Sequence, residues 1–370
     1  MSRAWPAVVS FLALGLLAGC GDKEARRDDA QSGQPVTAAA QQEPRIAAIR
    51  WFFGNPPRFA LVTAADDGSR QRVLVEAPAG ELQRLGSATW SPDAKRVYFV
   101  GVLAEREGDR FVYYESDAYA VSPEGGEPRR ITTSRDVEAA VPSPDGRTLL
   151  VARIEHPGRR PFTSGLWLLD ADGGNERRLL DAEGGKLDRP GSWSPDGRVI
   201  AFTRCSFGLP GSHGVFRNTC GVYTVSADGS GLRQVAERSS EPAFSPDGRS
   251  IAFVSDRDEH GSLRAGEDED VFANELYVTR ADGGNLRRLT RTESLAEAGP
   301  AWSPDGTRLA FAREGPAAFQ RELMVVKADG GCPTRLIGDA SDHSGKTPSF
   351  ESPAWRPGRL TGDLAPLACD

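Results

Sequence analysis

The chain has few residues of the kinds that carry most enzyme chemistry. Of its 370 residues only five are cysteine and four are histidine. It contains no Gly-x-Ser-x-Gly elbow, phosphate-binding loop or dinucleotide fingerprint. It also lacks a basic excess, since the formal net charge is −7, and phosphate binding needs a basic face. These absences argue against the common hydrolase and nucleotide-dependent classes and against a nucleic-acid partner.

The chain also lacks an apolar run long enough for a permanent membrane span. Its longest run, residues 7–17, follows Arg3 and leads through Leu-Ala-Gly to Cys20. This arrangement resembles a bacterial lipoprotein signal, in which Cys20 becomes the lipidated first residue; an ordinary cleaved signal is the alternative. We interpret residues 1–19 as a signal peptide and residues 20–44, which are polar, as a flexible tether. The resemblance implies export to the bacterial cell envelope and attachment to a membrane surface, on its periplasmic or extracellular side.

Four cysteines follow Cys20, namely Cys205, Cys220, Cys332 and Cys369. An even number in an exported chain favours disulfides over metal binding or thiol chemistry. Four cysteines allow three pairings, of which we prefer the local one, Cys205 with Cys220, leaving Cys332 with Cys369. A loop as short as the first gains about 3 kcal/mol in the chain-entropy treatment of disulfides.

What the chain has in quantity is a repeated turn. Trp193-Ser194-Pro195-Asp196-Gly197 has close or degenerate copies whose first positions are 51, 90, 142, 244, 302 and 355, about 50 residues apart. A β-rich run follows each turn, and most repeats add a second turn, Ala-Asp-Gly. Proline presets φ, aspartate bonds nearby backbone and glycine closes the turn, so each unit predicts short antiparallel strands joined by hairpins.

Small sheets of this kind bury both faces only by stacking around a ring, which predicts an all-β propeller. The paired Trp-Ser-Pro-Asp-Gly and Ala-Asp-Gly-Gly motifs resemble the WD40-like repeats of TolB-like propellers, over residues 45–358. TolB carries an α/β domain before its propeller, where this chain has a tether. The resemblance and the six intervals both imply six four-stranded blades. A seventh stays open, because Trp355 either completes the first blade or begins another. Residues 45–370 are thus one propeller domain with a C-terminal tail.

Successive connections in an up-and-down blade alternate between its two ends. The two short turns of each repeat therefore share one side of the ring, the short-turn face. The second connections and the links between blades share the other side, the long-loop face, and there the sequence varies. The variable segments are residues 103–114, 154–164, 205–220, 256–271 and 337–351. Because loops on a rigid scaffold usually carry recognition, we predict that the long-loop face binds a partner.

The candidate partner-binding residues are aromatic, basic, acidic or imidazole side chains of these segments. They are Phe207, His213, Phe216, Arg217, Asp256, Asp258, His260 and His343. We predict no cofactor. Calcium at the acidic segment is an alternative, although the Asp-x-Asp-x-Asp-Gly order is absent. A metal held by the four loop histidines is another, although no two of them have ligand spacing.

The function that these features favour is a monomeric, non-catalytic envelope scaffold held at the membrane by its lipid. Its partner would be an envelope protein or a cell-wall component. The alternative is a metal-assisted, carbohydrate-active enzyme, a lyase or glycosidase, with acids and histidines near the central channel. The binding role is preferred because function must be argued from a site, and no catalytic site is visible in the sequence.

Overall fold

The computed structural model describes most of the chain after the tether. The described residues are 44–52, 56–107, 112–155, 163–181, 184–210, 216–259, 262–264, 270–272, 274–292, 296–314, 321–337 and 349–358. They lie in one compact unit, residues 42–370, and they form strands and turns. No helix occurs among them, and hence none that could cross a membrane. The predicted signal peptide, Cys20 and all but the last residue of the tether lie outside the described residues.

The strands, numbered along the chain, form antiparallel sheets. Sheet I has the order β26 (Ser349–Trp355), β1 (Ile46–Phe52), β2 (Arg58–Ala64), β3 (Arg72–Ala77). Sheet II contains β4 (Arg84–Trp90), β5 (Val97–Glu107), β6 (Val112–Val121) and β7 (Arg129–Arg130). Sheet IV contains β16 (Ser239–Phe244), β17 (Ser250–Ser255), β20 (Glu275–Arg280) and β21 (Arg287–Arg288). Sheet V contains β22 (Glu297–Trp302), β23 (Arg308–Glu314), β24 (Arg321–Lys327) and β25 (Thr334–Ile337).

Sheet III has eight strands in two antiparallel runs. The first run is β8 (Val137–Pro142), β9 (Thr148–Glu155), β10 (Thr163–Asp170) and β11 (Arg177–Arg178). The second run is β12 (Lys186–Trp193), β13 (Val199–Pro210), β14 (Phe216–Ser226) and β15 (Arg233–Glu237). One parallel pair, Ser164 with Leu187, joins the two runs. A separate hairpin pairs β18 (Ser262–Arg264) with β19 (Asp270–Phe272).

These sheets pack face to face in chain order, with an apolar cluster between each pair of neighbours. Phe59 and Phe99 belong to the cluster between sheets I and II, and Ala60 and Leu323 to the one between sheets I and V. The first strands of successive units touch in turn, and β22 touches β26, which touches β4. The fold is therefore a closed β-propeller, as predicted. The strand that ends at Trp355 pairs with β1 and completes sheet I, one of the two outcomes that the sequence left open.

The repeated turn has the hydrogen bonds that its residues predict. Ser194 Oγ donates to Asp196 Oδ1 at 2.6 Å, and the Val199 N–H donates to Ser194 Oγ at 2.9 Å. The Ser194 hydroxyl lowers the pKa of Asp196 because its bond favours the carboxylate. The same serine–aspartate bond occurs in the turns that begin at Ser91, Ser143, Ser245 and Ser303. Each turn is thus held by its own side chains.

The tryptophans before the turns join neighbouring units. Trp193 is 8% exposed, and its indole N–H donates to the carbonyl oxygen of Val141 on the preceding first strand, at 3.2 Å. Trp302 and Trp90 make the corresponding bonds to Ala243 and Ala354. These side chains serve the core between units, in agreement with their interpretation from the sequence.

Candidate functional site

Backbone hydrogen bonds identify the two ends of the propeller. The N–H of Ala171, in an Ala-Asp-Gly turn, donates to the carbonyl of Arg147, which follows the Ser-Pro-Asp-Gly turn of the same unit. Ala227 and Arg198 repeat this bond in the next unit. The two kinds of short turn therefore lie side by side at one end, the short-turn face. The second connections necessarily lie at the other end, the long-loop face.

Extended hairpins occur at the long-loop face. Strands β13 and β14 have 12 and 11 residues, whereas the corresponding β9 and β10 have 8 each. Strands β5 and β6, with 11 and 10 residues, extend in the same way, and the β18–β19 hairpin is inserted between β17 and β20. Most of segments 103–114 and 205–220, which the sequence presents as loops, is therefore strand.

A disulfide joins the two strands of the longest hairpin. Cys205 and Cys220 lie directly opposite each other on β13 and β14, and their sulfur atoms are 2.04 Å apart. This is the pairing preferred from the sequence. Cys332 is also disulfide-bonded, while Cys369, its expected partner, lies outside the described residues. The hairpin that carries Phe207, Phe216 and Arg217 is thus covalently closed near the point where it leaves its sheet.

Three acidic residues of segment 256–271 are paired with arginines. Arg238 donates to Asp256 Oδ1 at 3.1 Å and to Glu259 Oε1 at 2.6 Å, and these bonds raise the pKa of Arg238. Asp258 Oδ2 accepts from the Tyr277 hydroxyl at 2.5 Å and from Arg288 at 2.9 Å. The sequence suggested a concentration of negative charge here, but the structure neutralises these three carboxylates. Among the described residues no group of three potential ligands could hold a metal ion.

The arrangement around Asp258 recurs in sheet II. The Tyr119 hydroxyl donates to Glu81 at 2.6 Å, and Arg130 bridges Glu81 and Asp117, its distance to Asp117 being 2.5 Å. Burial, followed by the bond to the neighbouring carboxylate, raises the pKa of Tyr119, and the same causes raise that of Tyr277. Both clusters hold a long-loop connection against its sheet.

Several of the predicted contact residues, or their side chains, lie outside the described part of the chain. His213, His260 and His343 lie outside the described residues, as do His156 and residues 265–269 of the acidic segment. Phe207, Phe216 and Arg217 are placed on β13 and β14 by their backbone alone. The metal and calcium alternatives therefore rest on residues beyond the described ranges.

A buried carboxyl joins sheets IV and V near the long-loop face. Glu297, at the start of β22, has no exposed surface, and its Oε2 accepts from the Thr290 hydroxyl and from the Leu276 N–H, the latter at 3.1 Å. Burial raises the pKa of Glu297 to about 8, assisted by Glu275 and opposed by the Thr290 bond. No motif in the sequence marks this residue, because it stands in the first strand of its unit without a repeated pattern around it.

Grooves on the surface of the described residues accompany these features. Two lie between units at the short-turn face, with volumes of about 470 and 490 Å³, and both include the Ser-Pro-Asp-Gly turn at Asp196. A third, of about 440 Å³, lies between sheets I and II at the long-loop face, where Pro56, Pro78 and Tyr114 line it. None was expected from the sequence, since each combines residues from separate strands.

Known proteins share this architecture. No protein-family model matches the chain. An uncharacterized protein of Agrobacterium fabrum is 30% identical over 297 residues, which cover 74% of this chain and 90% of that protein. The Tol-Pal system protein TolB of Bordetella parapertussis is 28% identical over 280 residues, covering 64% of this chain and 59% of that TolB. A solved structure assigned as a TolB, from Agrobacterium tumefaciens, superposes with a TM-score of 0.53 at 20% identity, covering 85% of this chain and 99% of that one.

The chain belongs to the TolB-like β-propeller family. This agrees with the resemblance seen in the repeated turns. This chain spans 59% of the Bordetella TolB, which is less than two thirds of that protein. The solved structure is 20% identical to this chain and is evidence for the fold alone. Membership of this family supports the propeller architecture that carries the long-loop face.

Proposed function

We propose that this TolB-like propeller is a non-catalytic scaffold of the bacterial cell envelope that binds a partner through its long-loop face. The observation that carries the proposal is the asymmetry of the two faces. Short turns held by their own side chains form one face, whereas the extended β5–β6 and β13–β14 hairpins and the inserted β18–β19 hairpin form the other. Projecting hairpins of this kind suit recognition, because a backbone already paired as strand has less ordering entropy to lose when a partner binds.

The proposed partner is another envelope protein, with a cell-wall component as the second possibility. The similarity to the Tol-Pal system protein TolB supports a protein partner and an envelope location. The residues proposed for contact are those singled out in the sequence: Phe207, His213, Phe216, Arg217, Asp256, Asp258, His260 and His343. Because Asp256 and Asp258 are paired with arginines, their part in binding would be to hold the connection in shape.

The proposal includes a lipid at Cys20 and a tether over residues 20–44, supported by the sequence pattern around Cys20.

It also includes a monomeric ring of six blades. Sheets I, II, IV and V would be one blade each, and the two runs of sheet III would be one each. The sequential contacts of β26, β4, β8, β12, β16 and β22 support this count.

Crosslinking in intact cells tests the proposed face. A photoreactive residue would replace Phe207 or Phe216 at the long-loop face, and Arg147 or Arg198, both exposed, at the short-turn face. We expect one envelope protein to be crosslinked from the long-loop positions alone. Adducts from Arg147 and Arg198, with none from the other two positions, would show that the face is wrongly assigned.

A further inference from the structure

The groove between sheets I and II combines apolar and cationic surface at the long-loop face. Its volume is about 440 Å³, and its apolar lining includes Pro56, Pro57 and Pro78 from sheet I and its flanks, with Val102 and Leu103 from β5. Prolines carry no N–H, so this wall offers no backbone donors at those positions. The polar residues that line the groove are Gln83, Arg84, Glu105 and Tyr114.

Arg84 is held in place by aromatic rings. Its guanidinium lies 5.2 Å from the ring centre of Phe59 in sheet I and 5.1 Å from that of Tyr114 in sheet II. Its Nη1 donates to the Tyr114 hydroxyl at 3.0 Å. Stacking on flat rings fixes the plane of the guanidinium while leaving its edge open to an acceptor. The side chain is exposed, so this edge can be reached from solvent.

Four other ring-stacked arginines donate to groups of the protein itself, whereas Arg58, which lies over the Phe52 ring, resembles Arg84 in having no carboxylate partner among the described residues. Arg153 and Arg178 stack on Trp167 and pair with Asp136 and Glu155. Arg204 stacks on Phe202 and Tyr223 and pairs with the buried Asp188. Arg257 donates to Ser255 Oγ and to the Glu237 carbonyl. Arg84 has no carboxylate partner among the described residues, so its remaining donors are available to a carboxylate from outside.

We propose that this groove binds an extended, acidic segment of a partner protein, with a carboxylate of that segment on the guanidinium of Arg84. Apolar side chains next to the carboxylate would pack against the three prolines and Leu103. This apolar wall favours a polypeptide over an anionic glycan, which has few apolar groups to bury. The inference rests on the proposed partner-binding role of the long-loop face and names the chemistry of the partner.

Peptide pools test the proposal with the purified full mature chain. The probe is a pool of octapeptides with a fixed central Leu-Glu pair and random flanks, compared with a pool in which Gln replaces the Glu. We expect Leu-Glu peptides to be retained more strongly and Arg84→Gln to reduce their retention about tenfold or more, because a charge-assisted hydrogen bond is lost. Arg84→Lys should retain an intermediate amount, since it keeps the charge without the flat double donor.

Two further variants separate binding from folding. Glu105 lines the same groove and is exposed, so Glu105→Gln should raise the retention of acidic peptides about twofold by removing repulsion. Arg147, an exposed arginine of the opposite face, gives the matched control Arg147→Gln, which should change nothing. Equal retention of both pools overturns the proposal, and so does retention that Arg84→Gln leaves unchanged in a folded protein. Arg84-dependent binding of an oligouronate without peptide binding also overturns it.

Crosslinking from within the groove distinguishes this proposal from the broader one. A photoreactive residue at position 105 is compared with one at position 216. Adducts with the same partner from both positions, lost from position 105 in Arg84→Gln, support the groove. Adducts from position 216 alone leave the partner-binding face intact and refute the groove. Adducts from neither position, with a folded protein, refute the proposed function itself.

Discussion

Glu297 shows how one residue can tie the stability of the ring to pH. Its carboxyl is buried between sheets IV and V, and its pKa is raised from 4.5 to about 8, chiefly by burial. Below pH 4.5 the carboxyl is neutral whether the protein is folded or unfolded. Between that pH and about 8 the unfolded chain releases the proton while the folded protein keeps it, so stability falls as pH rises. Above about 8 both states are charged and the loss is complete.

The substitution Glu297→Gln removes this proton. We expect the variant to keep the bonds to Thr290 and Leu276 and to show a smaller fall in melting temperature than the wild type between pH 5 and pH 8. Thermal unfolding at several pH values in that range measures the fall in melting temperature of both proteins. Glu314→Gln, which alters a partly exposed ion pair with Arg321, is the control and should keep the wild-type slope. An unchanged slope in Glu297→Gln would contradict the assigned pKa.

Gly173 is a residue at which both its own turn and a neighbouring unit exclude a side chain. Its φ is +99°, and a Cβ there would lie 2.1 Å from the carbonyl oxygen of Ile131, which follows β7 of sheet II. We expect Gly173→Ala to destabilise the protein by about 1–3 kcal/mol or more, through strain and displacement of that carbonyl. Gly184→Ala, at a position with open space and no positive φ, should cost little. Denaturant titration of both variants gives the comparison, and equal losses would refute the close contact.

At the scale of elements, the β13–β14 hairpin depends on its disulfide. The Cys205→Ser, Cys220→Ser double variant should lose about 3 kcal/mol in the chain-entropy treatment while the sheets persist. Thermal unfolding and circular dichroism measure the two effects. Reductant added to the wild-type protein should produce the same fall in stability, plus any fall caused by reduction of the disulfide at Cys332. A double variant as stable as wild type would mean that the hairpin is held without the bond.

The sequence predicts the elements near the short turns better than those near the long loops. Ser194 and Asp196 hold their turn by local bonds, so the residue types alone indicate the structure. The sequence presents residues 205–210 as part of a loop and not as strand, because their extended conformation depends on pairing with β14 and not on a local sequence pattern. The Arg84 groove was also missed, since Phe59, Arg84 and Tyr114 come from three strands of two sheets. Contacts between distant segments leave no periodic signal.

At the scale of the whole molecule, β26 keeps the ring closed. It supplies the strand that pairs with β1, and its Ala354 carbonyl accepts the indole N–H of Trp90 from sheet II. A chain that ends at residue 348 should therefore lose cooperative unfolding and aggregate through the free edge of β1. A chain that ends at residue 358 is the matched control, because both lack Cys369 but only this one keeps β26. Size-exclusion chromatography and calorimetry distinguish them, and a monomeric, cooperative 348 chain would refute the role of β26.

The pairing of the first strand also fixes where the preceding chain is attached. Ile46 lies opposite Trp355, and the Arg45 carbonyl accepts the N–H of Arg356, so β1 begins at the short-turn face. The chain before β1 therefore joins the propeller at the face opposite the extended hairpins, and its point of attachment leaves the proposed binding surface clear. Residues 21–44 could span roughly 80 Å when fully extended. With the proposed lipid at Cys20, a tether of that reach would let the long-loop face turn towards the bilayer or away from it, so a partner in the membrane and a partner beyond it could both reach this face.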